Sequence, residues 1–158
     1  MNRQLYFWWY WLIVAACGVI VFSLDMIIAP NLVQQQFFDA MFFSSAQMQT
    51  VFSDTAALYI LFIYRVLGAV MVGWMISLLF ILAGPFRQGQ REGWYAVTVS
   101  IMVWFLIDSG FSISTGFWQN AVFNVIFFVL FIIPLAATYR RFNDVSSSTK
   151  PEGVTKQG

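Results

Sequence analysis

The sequence predicts an all-α membrane protein, a bundle of four transmembrane helices. Apolar residues make up 60% of the chain and charged ones only 9%, against roughly 25% charged in soluble domains. The apolar residues fall in four runs, each close to the roughly 20 residues that a helix needs to cross the hydrocarbon. The basic residues gather at alternate ends of those runs, where cytoplasmic flanks carry Lys and Arg.

Span one is read over residues 7–28 and is ended by Ala29-Pro30. Pro cannot continue a helix, and it disfavours the helical region for the residue before it. A segment of more than twenty residues follows, long for a bundle connection. Within it Val33, Phe37, Ala40, Met41 and Ser44 recur at helical spacing beside Gln34, Gln35, Gln36 and Asp39. Two readings stand for this first outer loop: a short amphipathic helix on the membrane surface, or an irregular cap over the bundle. Ser53-Asp54-Thr55 then supplies N-cap oxygens for span two, residues 56–83, and Gly84-Pro85 is read as its stop. Span three covers residues 94–113 and span four 118–139. Inside span four, Pro134 is expected to kink or loosen the helix and to free a backbone carbonyl.

Residues 1–142 thus form a single membrane domain, and residues 143–158, with three consecutive serines and mixed charges, read as a disordered cytoplasmic tail. Seven of the eight basic residues flank the spans: Arg3, then Arg87 and Arg91, then Arg140, Arg141, Lys150 and Lys156. With four crossings all of these lie on one side, so both termini and the middle loop are expected in the cytoplasm. Trp8, Trp9, Tyr10 and Trp11, with Trp94, Tyr95 and Tyr139, fall at the cytoplasmic ends as interfacial aromatics should.

Val14-Ala15-Ala16-Cys17 resembles a bacterial lipoprotein cleavage box, but the segment stays apolar past Cys17 to Ile28 where a lipoprotein would turn polar. An uncleaved first span is therefore expected. The chain has no His and only one Cys, which excludes His-based zinc sites, His-ligated haem, internal disulfides and CxxC redox chemistry. No cofactor and no metal are expected. A net charge of +1 points to no nucleic-acid partner.

Three ionisable residues lie inside the spans: Asp25, Arg65 and Asp108. Counting about 1.5 Å per residue from the cytoplasmic ends puts all three in the outer third of the membrane. Asn120 and Asn124, one turn apart on span four, reach nearly the same depth. Arg65 shares a helix stripe with Gly68, Ala69, Val72 and Gly73, where a neighbouring helix can approach, and Asp108 shares one with Ile101, Trp104 and Ser112. A charge facing lipid costs at least about 2.5 kcal/mol near the bilayer centre, so Arg65 is expected to point inward and pair with Asp108, Asp25 or both. The candidate polar cluster is Asp25, Arg65, Asp108, Ser112, Asn120 and Asn124. Trp74 and Trp104 at mid-span read as core packing with one N–H each to satisfy.

Arg65-x-x-Gly68-Ala69, Gly73-Trp74, Trp104-Phe105-x-x-Asp108-x-Gly110-x-Ser112, Asn120-x-x-x-Asn124 and Pro134-Leu135 resemble a group of small bacterial four-span inner-membrane proteins. The resemblance covers under half the chain and implies four helices in a bacterial inner membrane, without implying a reaction. Small multidrug exporters share four short spans with an acid in the first, but this chain departs from them in length, in its outer loop, in Arg65 and in its charge bias.

Two functions follow from the residues. A structural or accessory subunit of a membrane assembly, partnered by the bilayer and by another membrane protein or further copies of itself, accounts for a small motif-free bundle rich in Phe and Trp. Binding or transport of a small polar or cationic ligand through an outer-side cavity accounts for the polar cluster. An enzyme is the least supported class, because neither a nucleophile nor a metal cluster accompanies the two carboxylates.

Overall fold

The computed structural model describes residues 3–42 and 48–144. Every regular element in it is helical: α1 (Arg3–Ile28); a capping segment made of α2 (Pro30–Val33), a π-turn (Gln34–Phe38) and α3 (Asp39–Phe42); α4 (Met48–Val51); α5 (Asp54–Ile81) with a π-turn (Leu82–Phe86); α6 (Arg91–Ser114); and α7 (Trp118–Asp144). The protein is a four-helix bundle, and α1, α5 with its π-turn, α6 and α7 are each long and apolar enough to cross a membrane. The expected tail lies, past Asp144, outside the described residues, as does Ser44 of the loop pattern.

Local chemistry sets the helix ends. Helix α1 runs unbroken through Cys17 and stops at Ile28, with Pro30 in the first turn of α2, where its missing N–H is not needed. Ser53 caps α5, its Oγ accepting the Ala56 N–H at 3.4 Å. The stop after α5 is not Gly84-Pro85. The chain carries these two residues through the π-turn and ends at Gly89, φ +76°. There Gly89 N–H donates to Phe86 O (3.0 Å) and Gln90 N–H to Pro85 O (2.9 Å), the paired bonds of a Schellman motif. The turn from α6 to α7 repeats it: Gly116 has φ +86°, and Gly116 and Phe117 donate to Ile113 O and Ser112 O.

Helix α1 packs along α5 and α6 along α7, and α1 also meets α7, while α5 and α6 touch over a short stretch only. The bundle thus has a terminal end, which holds Arg3, Asp144 and the α5–α6 turn, and a loop end, which holds the capping segment and the α6–α7 turn. At the terminal end Leu12, Leu78, Leu82, Phe86, Val97 and Leu135 are fully buried. Two glycines permit the closest approaches. A Cβ on Gly68 would sit 2.6 Å from Ser23 O of α1, and one on Gly93 would sit 2.7 Å from Pro85 C of the π-turn.

The aromatic residues at the terminal end do more than mark an interface. Trp9 and Trp94 are buried, and their indole N–H groups donate to Leu82 O (2.8 Å) and Leu135 O (3.0 Å) on neighbouring elements. Arg87 lies over the Trp9 ring, 5.2 Å from its centroid. Trp11 donates to Leu130 O at 2.9 Å. Leu130 O is the carbonyl that Pro134, four residues on, has no N–H to bond. Helix α7 therefore runs through Pro134 to Asp144, its freed acceptor taken up by α1. Trp11→Phe is expected to lose about 1 kcal/mol of unfolding free energy, the usual net worth of such a bond. The loss should shrink when Pro134→Ala restores the α7 donor, and a double-mutant cycle on the detergent-solubilised protein measures that coupling.

The described parts of the long loop are helical, and Pro30–Phe42 caps the bundle. Its buried face differs from the expected one: Val33, Gln34, Phe38 and Asp39 turn inward while Phe37 is exposed. The π-turn is the reason. Its backbone bonds run from i to i+5 instead of i+4, as from Asp39 N–H to Gln34 O, and the wider turn brings Val33 and Phe38, and Gln34 and Asp39, to one face. Gln34 Nε2 donates to Asp39 Oδ1 (2.6 Å), which also accepts the Met48 N–H at the start of α4 (3.2 Å). Phe38 stacks on Tyr64 of α5 at 4.8 Å.

Candidate functional site

The tight turn at Gly116 folds α7 back along α6 and brings the polar residues of the two helices together. Asp108, Ser109 and Ser112 come from the last two turns of α6, Asn120 and Asn124 from the first two of α7. Asn120 Nδ2 donates to Asp108 Oδ1 (3.0 Å) and to Ser112 Oγ (2.8 Å). The Ser112 hydroxyl donates back to Asp108 O (2.7 Å), with Oδ1 at 3.3 Å. One turn deeper, Asn124 Nδ2 donates to Ser109 Oγ at 3.3 Å, and both residues are buried. Ser109, absent from the sequence-based cluster, joins it because it stands one helix position from Asp108 and faces α7.

Asp108, Asn120 and Asn124 form the polar end of a cavity of about 240 Å³ to whose lining all four long helices contribute. Phe22, Trp74, Trp104 and Phe127 wall it, Met75, Ile101 and Phe131 close it towards the terminal end, and Phe38 of the capping segment lines it at the loop end. Trp74 is held by a bond from its Nε1 to Ser100 Oγ (2.8 Å) and leans on Trp104 with ring centroids 5.9 Å apart. The two indoles that the sequence placed in the core are thus also cavity wall. Leu67 and Val70 line the cavity and are 46% and 63% exposed on the outside of α5. The cavity therefore opens sideways, between α5 and α6, where those helices barely touch.

No family model, curated protein or solved structure matches this chain. What the site can do is read from its own geometry.

Two of the six expected residues are elsewhere. Arg65 and Asp25 are exposed, and among the described residues neither side chain makes a hydrogen bond or an ion pair. The expected inward pair of Arg65 with a carboxylate is thus corrected. The α1/α5 contact passes through Ser23, Met26 and Ile27 on one side and Gly68 on the other. Asp25 is two positions from Ser23, roughly 200° around the helix, and so points away from α5. Arg65 is three positions from Gly68, which swings it roughly 60° off the contact line, and Ala69, Gly73 and Ile76 follow it outward. Gly68 alone of that stripe is buried.

The consequence for Asp108 is chemical. Among the described residues, the cavity lining contains no Lys or Arg. Asp108 Oδ1 is occupied by Asn120 and Ser112, while no bond to Oδ2 is found among the described residues. An acid of this kind, in an aromatic cavity without a cationic neighbour, offers an acceptor or a negative charge to whatever enters. The ring faces of Trp74 and Trp104 attract cations by their quadrupoles.

Proposed function

We propose that this protein binds a small amphipathic molecule with a cationic or hydrogen-bond-donating head, taken up sideways from the bilayer, as a binding or transport protein of the bacterial inner membrane. The observation that carries this reading is Asp108, on the lining of an aromatic cavity to which no described residue contributes a basic side chain. A hydrophobic body matches the Phe and Trp walls, and a positive or donating head matches the carboxylate and the two Asn carboxamides. A cavity of about 240 Å³ suits a molecule of one ring or a short chain. The opening between α5 and α6 faces the hydrocarbon when the four helices span a membrane, so a ligand already partitioned into lipid has a direct path. The placement of Arg3, Arg87, Arg91, Arg140 and Arg141 at the terminal end supports an orientation with that end, and both termini, in the cytoplasm. The cavity then lies towards the periplasmic side.

Binding of labelled benzyltrimethylammonium to the solubilised protein tests the reading. Its neutral isostere, neopentylbenzene, serves as the comparison. Hydrogen bonds and contacts to a charged group are worth roughly 1.5–3 kcal/mol, so Asp108→Asn is expected to weaken binding of the cation about 10- to 100-fold and to leave that of the neutral compound unchanged. Equal affinities of wild type and variant for the cation would count against the cavity as a cation site.

The other reading of the sequence, a subunit that packs within a membrane assembly, is favoured by a separate observation, the two exposed charges Asp25 and Arg65.

A further inference from the structure

Opposite charges within apolar spans are costly wherever they face lipid, and each is relieved by meeting the other. Asp25 on α1 and Arg65 on α5 face outward on different sides of the α1/α5 pair, so they do not meet within one chain. Each sits on a helix face carrying a glycine with open space in front of it. On α1 this is Gly18, seven positions from Asp25 and on the same stripe; on α5 it is Gly73, eight positions from Arg65, with Ala69 between. At 1.5 Å per residue the two charge-to-glycine spacings are about 10.5 Å and about 12 Å.

Depth can be compared with the bundle itself as ruler. Gly68 lies level with the stretch from Ser23 to Ile27, so Asp25 and Gly68 share a level. Arg65 is then about 4.5 Å nearer the loop end than Asp25, and Gly73 about 3 Å nearer the loop end than Gly18. Both offsets have the same sign and nearly the same size. Two copies in the same membrane orientation present α1 of one antiparallel to α5 of the other, and a single small shift then matches Asp25 with Arg65 and Gly18 with Gly73 at once. The extended Arg65 side chain spans such an offset.

The remaining surface fits as well. Below Asp25 on the same side of α1 runs an apolar groove of about 560 Å³ between α1 and α7, lined by Phe7, Trp11, Val14, Gly18 and Leu130 among others. On α5 the bulky residue below Gly73 is Phe80, 76% exposed. Phe80 is seven positions from Gly73, as Trp11 is from Gly18, so with the glycines apposed Phe80 enters the groove beside Trp11.

We infer that the protein self-associates head to tail in the membrane, the Arg65–Ala69–Gly73–Phe80 face of one copy seating on the Asp25–Gly18 groove of the next. Close backbone approach at the glycines supplies van der Waals contact, which drives helix association in lipid, and the charge pair fixes register. The contact is heterologous, so it generates a closed ring or an open row, not a twofold dimer.

Disulfide trapping in native membranes tests this with the full chain. In a Cys17→Ser background, differently tagged copies carrying Gly18→Cys and Gly73→Cys are co-expressed and oxidised. A cross-linked product containing both tags is expected, and a chain carrying both substitutions should give a ladder of multiples. Reversing one charge, Asp25→Arg or Arg65→Asp, should lower the cross-linked fraction about tenfold, and combining the two reversals should restore it, which separates a lost interface from a lost fold. The inference is overturned if the mixed copies fail to cross-link and run as monomers by native mass, if Gly18→Cys copies cross-link among themselves as readily as with Gly73→Cys copies, or if neither reversal changes the yield.

Discussion

Gly93→Ala is expected to destabilise the bundle by about 3 kcal/mol, at the upper end of the usual cost of overpacking. The added Cβ would fall on Phe86 N, 2.7 Å from Pro85 C and 2.9 Å from Phe86 Cα. All three are backbone atoms of the π-turn, and none can swing aside as a side-chain tip would. The π-turn is in turn fixed by the Schellman bonds at Gly89, by buried Leu82 and Phe86, and by the Trp9 indole on Leu82 O. Helix α6 would have to move off the turn, and that opens the most densely buried part of the core. Gly110→Ala is the matched control: it lies on the same helix with open space in front of it, and it is expected to lose nothing, since Ala is the better helix former. Denaturant titration of both variants in mixed micelles, followed by circular dichroism, measures the difference. Equal stabilities would show that α6 and the π-turn are not in contact as described.

Gly68→Ala is expected to cost about 2 kcal/mol and to disturb the cavity as well. Its Cβ would meet Ser23 O at 2.6 Å, with Ile27 Cγ1 at 3.0 Å and Met26 Cβ at 3.2 Å. The carbonyl belongs to the α1 backbone, so the two helices must separate, where overpacking is relieved only by a backbone shift. Met26 and Leu67, beside this contact, both line the cavity. Separation therefore changes the cavity wall without altering the Asp108 carboxylate itself. Binding of benzyltrimethylammonium is expected to weaken in Gly68→Ala together with the fall in stability, whereas Asp108→Asn alters binding with a far smaller change in unfolding. A Gly68→Ala variant with unchanged stability would contradict the α1/α5 packing.

Most of the architecture was legible in the chain. A helix that crosses hydrocarbon must be about 20 apolar residues long, and Pro30, Ser53, Gly116 and the residues around them punctuate the runs by local backbone chemistry. The number of spans, their order, and the meeting of Asp108 and Ser112 with Asn120 and Asn124 across a tight antiparallel turn all follow from such short-range facts. Of the two glycines that follow span two, Gly84 and Gly89, the sequence was read as stopping the helix at the first, with Pro85. The observed stop is the second, because the π-turn absorbs Gly84 and Pro85 without ending the helix.

Which way each helix faces was decided by the tertiary structure. In a soluble bundle the buried stripe is apolar and the rest polar, so rotation can be read off the pattern. In lipid the surroundings are as apolar as the core, and the spans here are apolar on every side, which removes that cue. The one cue left was charge, and it points inward only if a bundle must satisfy its charges alone. Arg65 and Asp25 were placed inside by that argument. They are turned outward because close contact at Gly68 and Ser23 determines the rotation of α5 and α1, and that contact is won by backbone proximity over a whole helix pair, which outweighs two exposed side chains. Composition and rise per residue determined how many helices there are and how far along its helix each residue lies. Packing, through glycines that admit a neighbouring backbone and indoles that reach a neighbouring carbonyl, decided which residues share the cavity and which face outward.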